Sequence, residues 1–202
     1  LMLSRIAAFT SSQKLAEGQW LREETSRGQE IAGKRMGIIG YGNIGQTVGE
    51  RARAMGMTVM AFDDYVPASS PAWRDAQRAN LQDLLAGSDV ISLHCPLTAE
   101  TRGMIGAAQF AAMKKGAILT NAARGGVVDE KALADALRSG HIAGAAMDVF
   151  DKEPIDKASA AHFIGVPNLI LTPHSAGVTL ESNERISSVT VDNVLTALKG
   201  NA

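Results

Sequence analysis

Residues 37–45 have the sequence Gly-Ile-Ile-Gly-Tyr-Gly-Asn-Ile-Gly, in which an apolar run passes directly into the pattern Gly-x-Gly-x-x-Gly. Such a stretch is typical of a buried strand that turns tightly into a helix, where glycines let backbone N–H groups approach a pyrophosphate. Ordinary strand-to-helix turns also contain this pattern by chance. The rest of the chain must therefore decide between the two interpretations.

Short apolar runs alternate with helical patterns along the rest of the chain. Near-continuously apolar strands separated by helices indicate a parallel sheet that is covered on both faces. The predicted fold class is therefore α/β, a Rossmann-type doubly wound parallel sheet. Strands are predicted at 36–39, 58–62, 89–93, 117–121, 142–148 and 168–171, helices at about 43–55, 81–86, 107–113, 130–139 and 180–199, and long irregular stretches at 63–80 and 149–167.

An acidic residue after the second predicted strand indicates which nucleotide binds. Asp63 lies 18 positions after Gly45, close to the ~20 expected for the carboxylate that hydrogen-bonds the adenosine ribose. A 2′-phosphate would meet the like charges of Asp63 and Asp64, and no Arg or Lys follows closely in the sequence. The sequence therefore predicts NAD as the cofactor.

Composition and charge argue against several other classes of protein. The chain has 20 Lys and Arg against 21 Asp and Glu, a formal net charge of −1, and no run of like charges that would bind nucleic acid or a membrane surface. Its apolar stretches are too short to span a bilayer. The single Cys95 cannot form an intrachain disulfide, and no signal-peptide pattern is present, so we expect a cytoplasmic protein.

Three later segments carry a more specific pattern. They are Asn-Ala-Ala-Arg-Gly-Gly-Val-Val-Asp at 121–129, Gly-Ala-Ala-Met-Asp-Val-Phe at 144–150 with Glu153 and Pro154, and Leu-Thr-Pro-His at 171–174. Together, and in this order, they resemble the D-isomer-specific 2-hydroxyacid dehydrogenases. The resemblance implies that Arg124 binds the substrate carboxylate and that Asp148 lies near the nicotinamide carboxamide. It also implies that His174 is the acid/base and Glu153 its partner.

The same residues have a physical rationale of their own. Arg124, Asp148 and His174 each follow a predicted strand, so they lie beyond the carboxyl ends of parallel strands, where open α/β sheets bind ligands. Oxidation of a 2-hydroxy acid requires a base, a cation for the carboxylate and a hydride acceptor. An imidazole beside a carboxylate and a planar guanidinium meet the first two needs. We therefore expect an NAD-dependent oxidoreductase that interconverts a small D-2-hydroxy acid and its 2-oxo acid.

Further residues are assigned to the cofactor crevice, and no metal is expected. His94 is expected to shape the crevice through its backbone, whereas Cys95 is expected to be a buried packing residue. His141 and His162 are interpreted as structural or surface residues. The assigned cofactor-binding residues are Gly40, Gly42, Asn43, Ile44, Asp63, His94, Pro96, Thr101, Ala122, Arg124, Asp148, His174 and Ala176.

The sequence does not decide which 2-hydroxy acid is the substrate. Many members of the family have a Gly pair after the His, whereas this chain has Ser175-Ala176-Gly177, which predicts a narrower space near the nicotinamide. Hydroxypyruvate, glyoxylate, 3-phosphoglycerate and sulfolactate are all candidates. The alternative function is an NAD(H)-sensing or corepressor-like protein that keeps the fold and acts by binding partners.

The predicted domain organisation has three parts. Residues 1–33 form an interdomain helix and linker, 34–177 the NAD-binding domain, and 178–202 a C-terminal helix that returns toward a substrate domain. The chain opens at Leu1 inside an amphipathic pattern that includes Leu3 and Ile6, so we expect a truncated form that lacks most of the substrate domain implied by the resemblance. A homodimer is the expected assembly.

Overall fold

The computed structural model describes residues 8–25 and 28–200, and within them one parallel sheet carries the helices. The strands are β1 (Arg35–Ile39), β2 (Thr58–Phe62), β3 (Gln77–Arg78), β4 (Val90–Leu93), β5 (Ile118–Asn121), β6 (Gly144–Met147) and β7 (Leu169–Leu171). The helices are α1 (Ala8–Ala16), α2 (Arg22–Thr25), α3 (Asn43–Ala54), α4 (Leu81–Gly87), α5 (Ala107–Ala112), α6 (Glu130–Arg138) and α7 (Leu180–Leu198). Among the described helices, none is both long and apolar enough to cross a membrane.

The strand order confirms the predicted fold class. All seven strands are parallel in the order β3-β2-β1-β4-β5-β6-β7. The chain moves outward from β1 in one direction and from β4 in the other, which makes the sheet doubly wound. The crevice of such a sheet lies where the two directions diverge, beyond the carboxyl ends of β1 and β4.

The prediction of two long irregular stretches was wrong in part. The stretch 63–80 contains a 3₁₀ turn at Pro71–Asp75 and the edge strand β3, and the stretch 149–167 contains a second 3₁₀ turn at Ala161–Phe163. Elements of two to five residues are too short to produce a recognisable hydrophobic period. The six predicted strands match β1, β2, β4, β5, β6 and β7; β2 has the predicted bounds, and the other five have shifted ends.

Alternate residues of the strands point to opposite faces of the sheet and build two separate cores. Ile38 and Ile39, successive residues of β1, belong to different hydrophobic clusters and are 0% and 1% exposed. The cluster around Ile39 packs under α4, α5 and α6 and contains Leu93, Leu119 and Leu133. This burial on both faces explains why the strands are apolar at nearly every position.

Strand register brings the ends of the central strands into one row. The last residues of six strands lie side by side across the sheet, so the residues that follow them emerge along a single edge. The row consists of Phe62, Ile39, Leu93, Asn121, Met147 and Leu171.

The helices at the two ends of the described chain have little burial. α1 accounts for residues 8–16 of the interdomain helix predicted within residues 1–33, whereas Leu3 and Ile6 lie outside the described residues. α7 begins at Leu180, as predicted, and Ser182 is its only buried residue. Its apolar side chains are therefore open to solvent.

Candidate active site

Close backbone contacts explain two of the three glycines after β1. Gly40 has a φ of +90°, and a Cβ there would lie 2.6 Å from the backbone of both His94 and Cys95. A Cβ on Gly45 would lie 2.2 Å from the carbonyl oxygen of Gly40. A side chain at either position would therefore push the turn away from the β4 loop or lift α3 from the turn.

Gly42 differs from these two glycines because it faces open space. A Cβ at this position would have no heavy atom within 4 Å, and its φ of −73° is one that any residue adopts. Gly42 is the N-cap of α3 and supplies no side-chain cap, so the first N–H groups of the helix, those of Asn43 and Ile44 among them, remain available to an anion. The cradle therefore fits the pyrophosphate of a dinucleotide.

Asp63 follows β2 and is held by the backbone around it. Its Oδ2 accepts a hydrogen bond from the N–H of Tyr41 at 2.7 Å, and its Oδ1 accepts from the N–H groups of Tyr65 and Val66 at 2.8 and 3.1 Å. A carboxylate has about four lone-pair sites, so about one remains for a ribose hydroxyl. The fixed carboxylate beside the glycine turn fits the adenosine ribose.

Arg78 is a residue of this region that the sequence analysis missed. It lies fifteen positions after Asp63, but β3 pairs with β2 and brings both residues to the lining of one groove of about 440 Å³. The Arg78 guanidinium carbon lies 5.6 Å from the centre of the Trp73 ring, which stacks on Tyr41 at 5.3 Å. Only the pairing of a two-residue strand reveals this proximity.

The loop after β4 contains three of the assigned cofactor residues. The N–H of His94 donates to the carbonyl of Ile39 at 2.7 Å, and its Nε2 lies 2.9 Å from the Ser92 hydroxyl. Burial lowers the pKa of His94, which favours its neutral form. Thr101 donates from Oγ1 to the carbonyl of Pro96 at 2.7 Å and so closes the loop.

Cys95 lies in the same loop and is a packing residue, as predicted. It is 9% exposed and belongs to the larger hydrophobic cluster. Burial raises the pKa of its thiol, so the thiolate that reacts as a nucleophile is disfavoured.

The loop after β5 places Arg124 at the same edge of the sheet. Asn121 is fully buried; its Oδ1 accepts from the N–H of Ala123 at 3.0 Å, and its Nδ2 donates to the carbonyl of Arg124 at 3.1 Å. The Arg124 side chain is exposed, as is Ala122. Asn121 fixes this loop, and a buried polar residue at the end of an apolar strand was the signal that could have identified it.

Asp148 follows β6 and anchors the chain that leaves β7. Its Oδ1 accepts from the Thr172 hydroxyl at 2.5 Å and from the N–H of Ser175 at 2.9 Å, while Oδ2 accepts from the N–H of Ala176 at 2.9 Å. Burial acts to raise the pKa of Asp148, but these hydrogen bonds and the nearby His174 outweigh it and hold the pKa below its ordinary value. Asp148 is therefore an ionised, buried anchor of the segment that carries Ala176.

His174 and Glu153 form a direct pair. Nδ1 of His174 lies 2.7 Å from Oε2 of Glu153, and Oε1 of Glu153 accepts from the N–H of Phe150 at 2.8 Å. These two contacts, that of His174 first, lower the pKa of Glu153. An ionised carboxylate only accepts hydrogen bonds, so Nδ1 carries the proton and Nε2 is the nitrogen left for exchange.

The pair is open to solvent and its backbone is unusual. The side chain of His174 is 55% exposed and that of Glu153 is 34% exposed. His174 has a φ of +51°, a conformation that non-glycine residues seldom adopt, and its N–H donates to the carbonyl of Asp148 at 2.8 Å. The anchored backbone turns the imidazole outward over the edge of the sheet.

The other two histidines lie in structural contacts. Nε2 of His141 lies 3.0 Å from the carbonyl oxygen of Met113. Nε2 of His162 lies 3.0 Å from Oε2 of Glu130. Both observations agree with the interpretation of these residues as structural.

Comparison with known proteins identifies the family. The model of the D-isomer specific 2-hydroxyacid dehydrogenase, NAD binding domain, matches residues 1–176. The chain is 46% identical over 199 residues to the (S)-sulfolactate dehydrogenase of Chromohalobacter salexigens, an alignment that covers 98% of this chain and 63% of that protein. It is 45% identical over 165 residues to the glycerate dehydrogenase of Methylorubrum extorquens, covering 82% of this chain and 50% of that protein.

A solved structure agrees with this result. The D-lactate dehydrogenase of Lactobacillus jensenii, crystallised with NAD+, has a TM-score of 0.86 at 32% identity and covers 100% of this chain and 63% of its own. The chain thus spans between half and two thirds of the length of these three relatives. On the family match and these likenesses, the chain belongs to the D-isomer specific 2-hydroxyacid dehydrogenases and contains their NAD-binding domain.

Proposed function

We propose that the chain is the catalytic NAD-binding part of an oxidoreductase that interconverts a small D-2-hydroxy acid and its 2-oxo acid. The observation that carries this proposal is the 2.7 Å contact between His174 and Glu153 at the edge of the sheet where the glycine turn and Asp63 also lie. The carboxyl ends of the parallel strands meet at this edge, which would bring the cofactor and the proton-transfer group side by side.

Each side chain has a role that its contacts support. NAD supplies a hydride acceptor, or NADH a donor, at the nicotinamide ring. In the reduction, Nε2 of His174 gives a proton to the forming hydroxyl oxygen, and Glu153 stabilises the protonated imidazole. The exposed guanidinium of Arg124 binds the substrate carboxylate, for which its planar donors are suited.

The cofactor is proposed to lie along the row of strand ends. Gly40, Gly42, Asn43 and Ile44 would hold the pyrophosphate, and Asp63 the adenosine ribose. We assign the loops that carry the remaining cofactor residues to the nicotinamide end of NAD. Asp148 would hold the backbone beside the carboxamide. These residues are His94, Pro96, Thr101, Ala122, Arg124, Asp148, His174 and Ala176.

The substrate class is a small 2-oxo or 2-hydroxy acid. The names of the relatives, sulfolactate and glycerate dehydrogenases, define a panel of acids that differ at the carbon beyond the hydroxyl. Together with the other candidates from the sequence, the panel of 2-oxo acids is sulfopyruvate, hydroxypyruvate, 3-phosphohydroxypyruvate and glyoxylate. Ser175 and Ala176 directly follow His174, so we expect a bulkier substrate to meet them.

We further propose a homodimer in the cytoplasm. Trp20 is 78% exposed, and α7 presents further apolar side chains, which favours association through buried apolar surface. A single free and buried cysteine suits a reducing compartment. Sedimentation velocity across a range of concentrations tests the assembly, and a sharp monomer at all concentrations would contradict it.

The function is tested by replacing His174. We expect His174→Ala to slow the single-turnover oxidation of bound NADH by a 2-oxo acid about 10²–10⁴-fold, while the Kd for NADH rises by far less. His141→Ala is the matched control, because it removes an imidazole that contacts Met113. Since this chain is expected to turn over slowly, only NADH binding with no detectable oxidation of the bound NADH by any acid on the panel would favour the NADH-sensing alternative.

A further inference from the structure

Glu130 is an acidic residue outside the proposed catalytic set whose carboxylate joins two segments. It is the first residue of α6, directly after the N-cap Asp129. Its Oε1 accepts from the N–H of Asp151 at 2.7 Å, and its Oε2 lies 3.0 Å from Nε2 of His162. The Glu130 side chain is only 12% exposed, so its carboxylate is largely shielded from water.

The segment that Glu130 holds is the one that presents Glu153. Phe150, next to Asp151, donates its N–H to Glu153 at 2.8 Å. A Cβ on Gly125 would lie 1.8 Å from the carbonyl oxygen of Phe150, so the Arg124 loop packs directly on this segment. Glu130 thus fastens the Glu153 segment to the helix that follows the Arg124 loop.

His162 extends the same support to the side chain of Phe150. The His162 ring lies 4.1 Å from the ring of Phe163, which meets Phe150 edge-on at 6.0 Å. Nε2 of His162 is buried, and its contact with Glu130 lacks the geometry of a hydrogen bond. The contact is therefore a charge interaction when the imidazole is protonated and a packing contact otherwise.

We propose that Glu130 is a positioning residue that keeps the carboxylate of Glu153 within hydrogen-bond distance of the His174 imidazole. The proposal rests on the proposed function for its catalytic meaning, since His174 and Glu153 are the proton-transfer pair there. Glu130 acts through the backbone of residues 150–151. Removal of its carboxylate takes away the acceptor of the Asp151 N–H, so this hydrogen bond no longer fixes the segment to α6. The carboxylate of Glu153 then moves away from the His174 imidazole.

The first test follows Glu153 itself and does not depend on turnover. In the wild type the pKa of Glu153 lies below its ordinary value because of His174 and the Phe150 N–H. We expect Glu130→Ala to raise that pKa toward the ordinary value, as measured by ¹³C NMR of the side-chain carboxyl. Glu130→Gln keeps an oxygen for the Asp151 N–H and should leave the pKa near that of the wild type.

The second test follows turnover and cofactor binding separately. Misplacement of a catalytic group by about 1 Å can cost up to ~10²-fold in rate, so we expect Glu130→Ala to slow single turnover by ~10- to 100-fold. The Kd for NADH should be unchanged and Glu130→Gln should restore most of the rate. Glu181→Ala, which removes an exposed first-turn carboxylate from α7, is the matched control and should match the wild type.

The outcomes separate this proposal from the proposed function. A folded Glu130→Ala with an unchanged Glu153 pKa overturns the positioning role, whatever the turnover. A raised Glu153 pKa in a protein that reduces no 2-oxo acid supports the positioning role and removes the proposed function. If Glu130→Ala does not fold, Glu130→Asp provides the same measurement, because its shorter side chain keeps the charge but withdraws the oxygens.

Discussion

Two carboxylates at the candidate site have different environments and therefore different uses. Asp148 is 6% exposed and accepts from Thr172, Ser175 and Ala176. Glu153 is one third exposed and faces the imidazole of His174. A buried carboxylate with its oxygens occupied serves as an anchor, whereas a partly exposed one beside an imidazole is suited to stabilise a transferable proton.

The anchoring role of Asp148 predicts a pH-dependent contribution to stability. Asp148→Asn places an amide group against backbone donors, so we expect a loss of about 1–3 kcal/mol in the free energy of unfolding at pH 7. The folded-state pKa of Asp148 is lowered. Its stabilisation is therefore complete above the ordinary carboxyl range and is lost as the pH falls through the lowered pKa.

Urea unfolding of the wild type and Asp148→Asn between pH 7 and pH 3 measures this difference. The gap between the two proteins should be constant near neutrality and should narrow only at the acid end. Asp64→Asn, at an exposed loop carboxylate, is a control for the loss of a charge. A constant gap down to pH 3 would show that ionisation of Asp148 does not contribute.

Asp63 predicts the choice between the two nicotinamide dinucleotides. Its negative charge should make NADH bind about tenfold or more tightly than NADPH, because a 2′-phosphate would approach a like charge. Asp63→Asn keeps an oxygen acceptor and removes the charge, so calorimetric titration should show a narrower preference. Asp64→Asn removes an exposed charge and should change the ratio less, because solvent screens it.

The calorimetric comparison of NADH and NADPH has a second outcome, which involves Arg78. Its guanidinium shares a groove with Asp63 and Asp64. Equal or tighter binding of NADPH by the wild type would refute the assignment of Asp63. Arg78 would then be the cation that neutralises the phosphate.

At the scale of elements, the junction of β1 and α3 illustrates how one short motif serves two purposes. Gly40 and Gly45 are required by the fold, because their backbones touch the β4 loop and each other. Gly42 is not required by any contact within the described part of the chain. Access for a ligand, the second purpose, is therefore left to Gly42.

This contrast predicts that alanine substitutions at Gly42 and Gly45 differ in their effect on stability. Gly42→Ala should leave the free energy of unfolding within ~0.5 kcal/mol of the wild type but weaken NADH binding tenfold or more, about 1.4 kcal/mol. Gly45→Ala should lose about 1–3 kcal/mol of stability as well, because α3 must move to admit the methyl group. Thermal unfolding and fluorescence titration measure both effects, and unaltered NADH binding by Gly42→Ala would place the cofactor elsewhere.

At the scale of the whole molecule, much of the apolar surface of α7 and much of the candidate site are open to solvent. His174 and Arg124 face solvent, and α7 carries exposed apolar residues. The chain spans 63% of the length of the sulfolactate dehydrogenase that it matches. The exposed apolar residues of α7 are Leu180, Ile186, Val189, Val191, Val194, Leu195 and Leu198.

Because this surface is open, we expect the chain to bind NADH but to turn over 2-oxo acids slowly. It should bind NADH in a 1:1 complex, because the glycine turn and Asp63 are complete. Turnover of 2-oxo acids should be at least ~10²-fold slower than that of the Chromohalobacter relative, since positioning in a closed, water-free cleft can be worth about 7–11 kcal/mol. Parallel assays of the two proteins measure this, and comparable rates would show that these 202 residues hold the whole substrate site.

The sequence by itself determined the fold class, the family and the pairing of His174 with Glu153. Apolar strands that alternate with helical patterns report burial on both faces, and Gly-x-Gly-x-x-Gly reports a local backbone requirement; both are properties of neighbouring residues. His174 and Glu153 were paired through the family resemblance, which the family match supports. Such signals are carried by short windows of sequence and need no knowledge of distant contacts.

The tertiary structure alone decided what depends on residues far apart in the chain. β3 is two residues long and forms because β2 offers it an edge, and this pairing brings Arg78 beside Asp63. The contact of Glu130 with Asp151 spans 21 positions, and that of Asp148 with Ala176 spans 28. A hydrogen bond across such a separation leaves no periodic pattern, because its partners meet only once the sheet and its loops have packed.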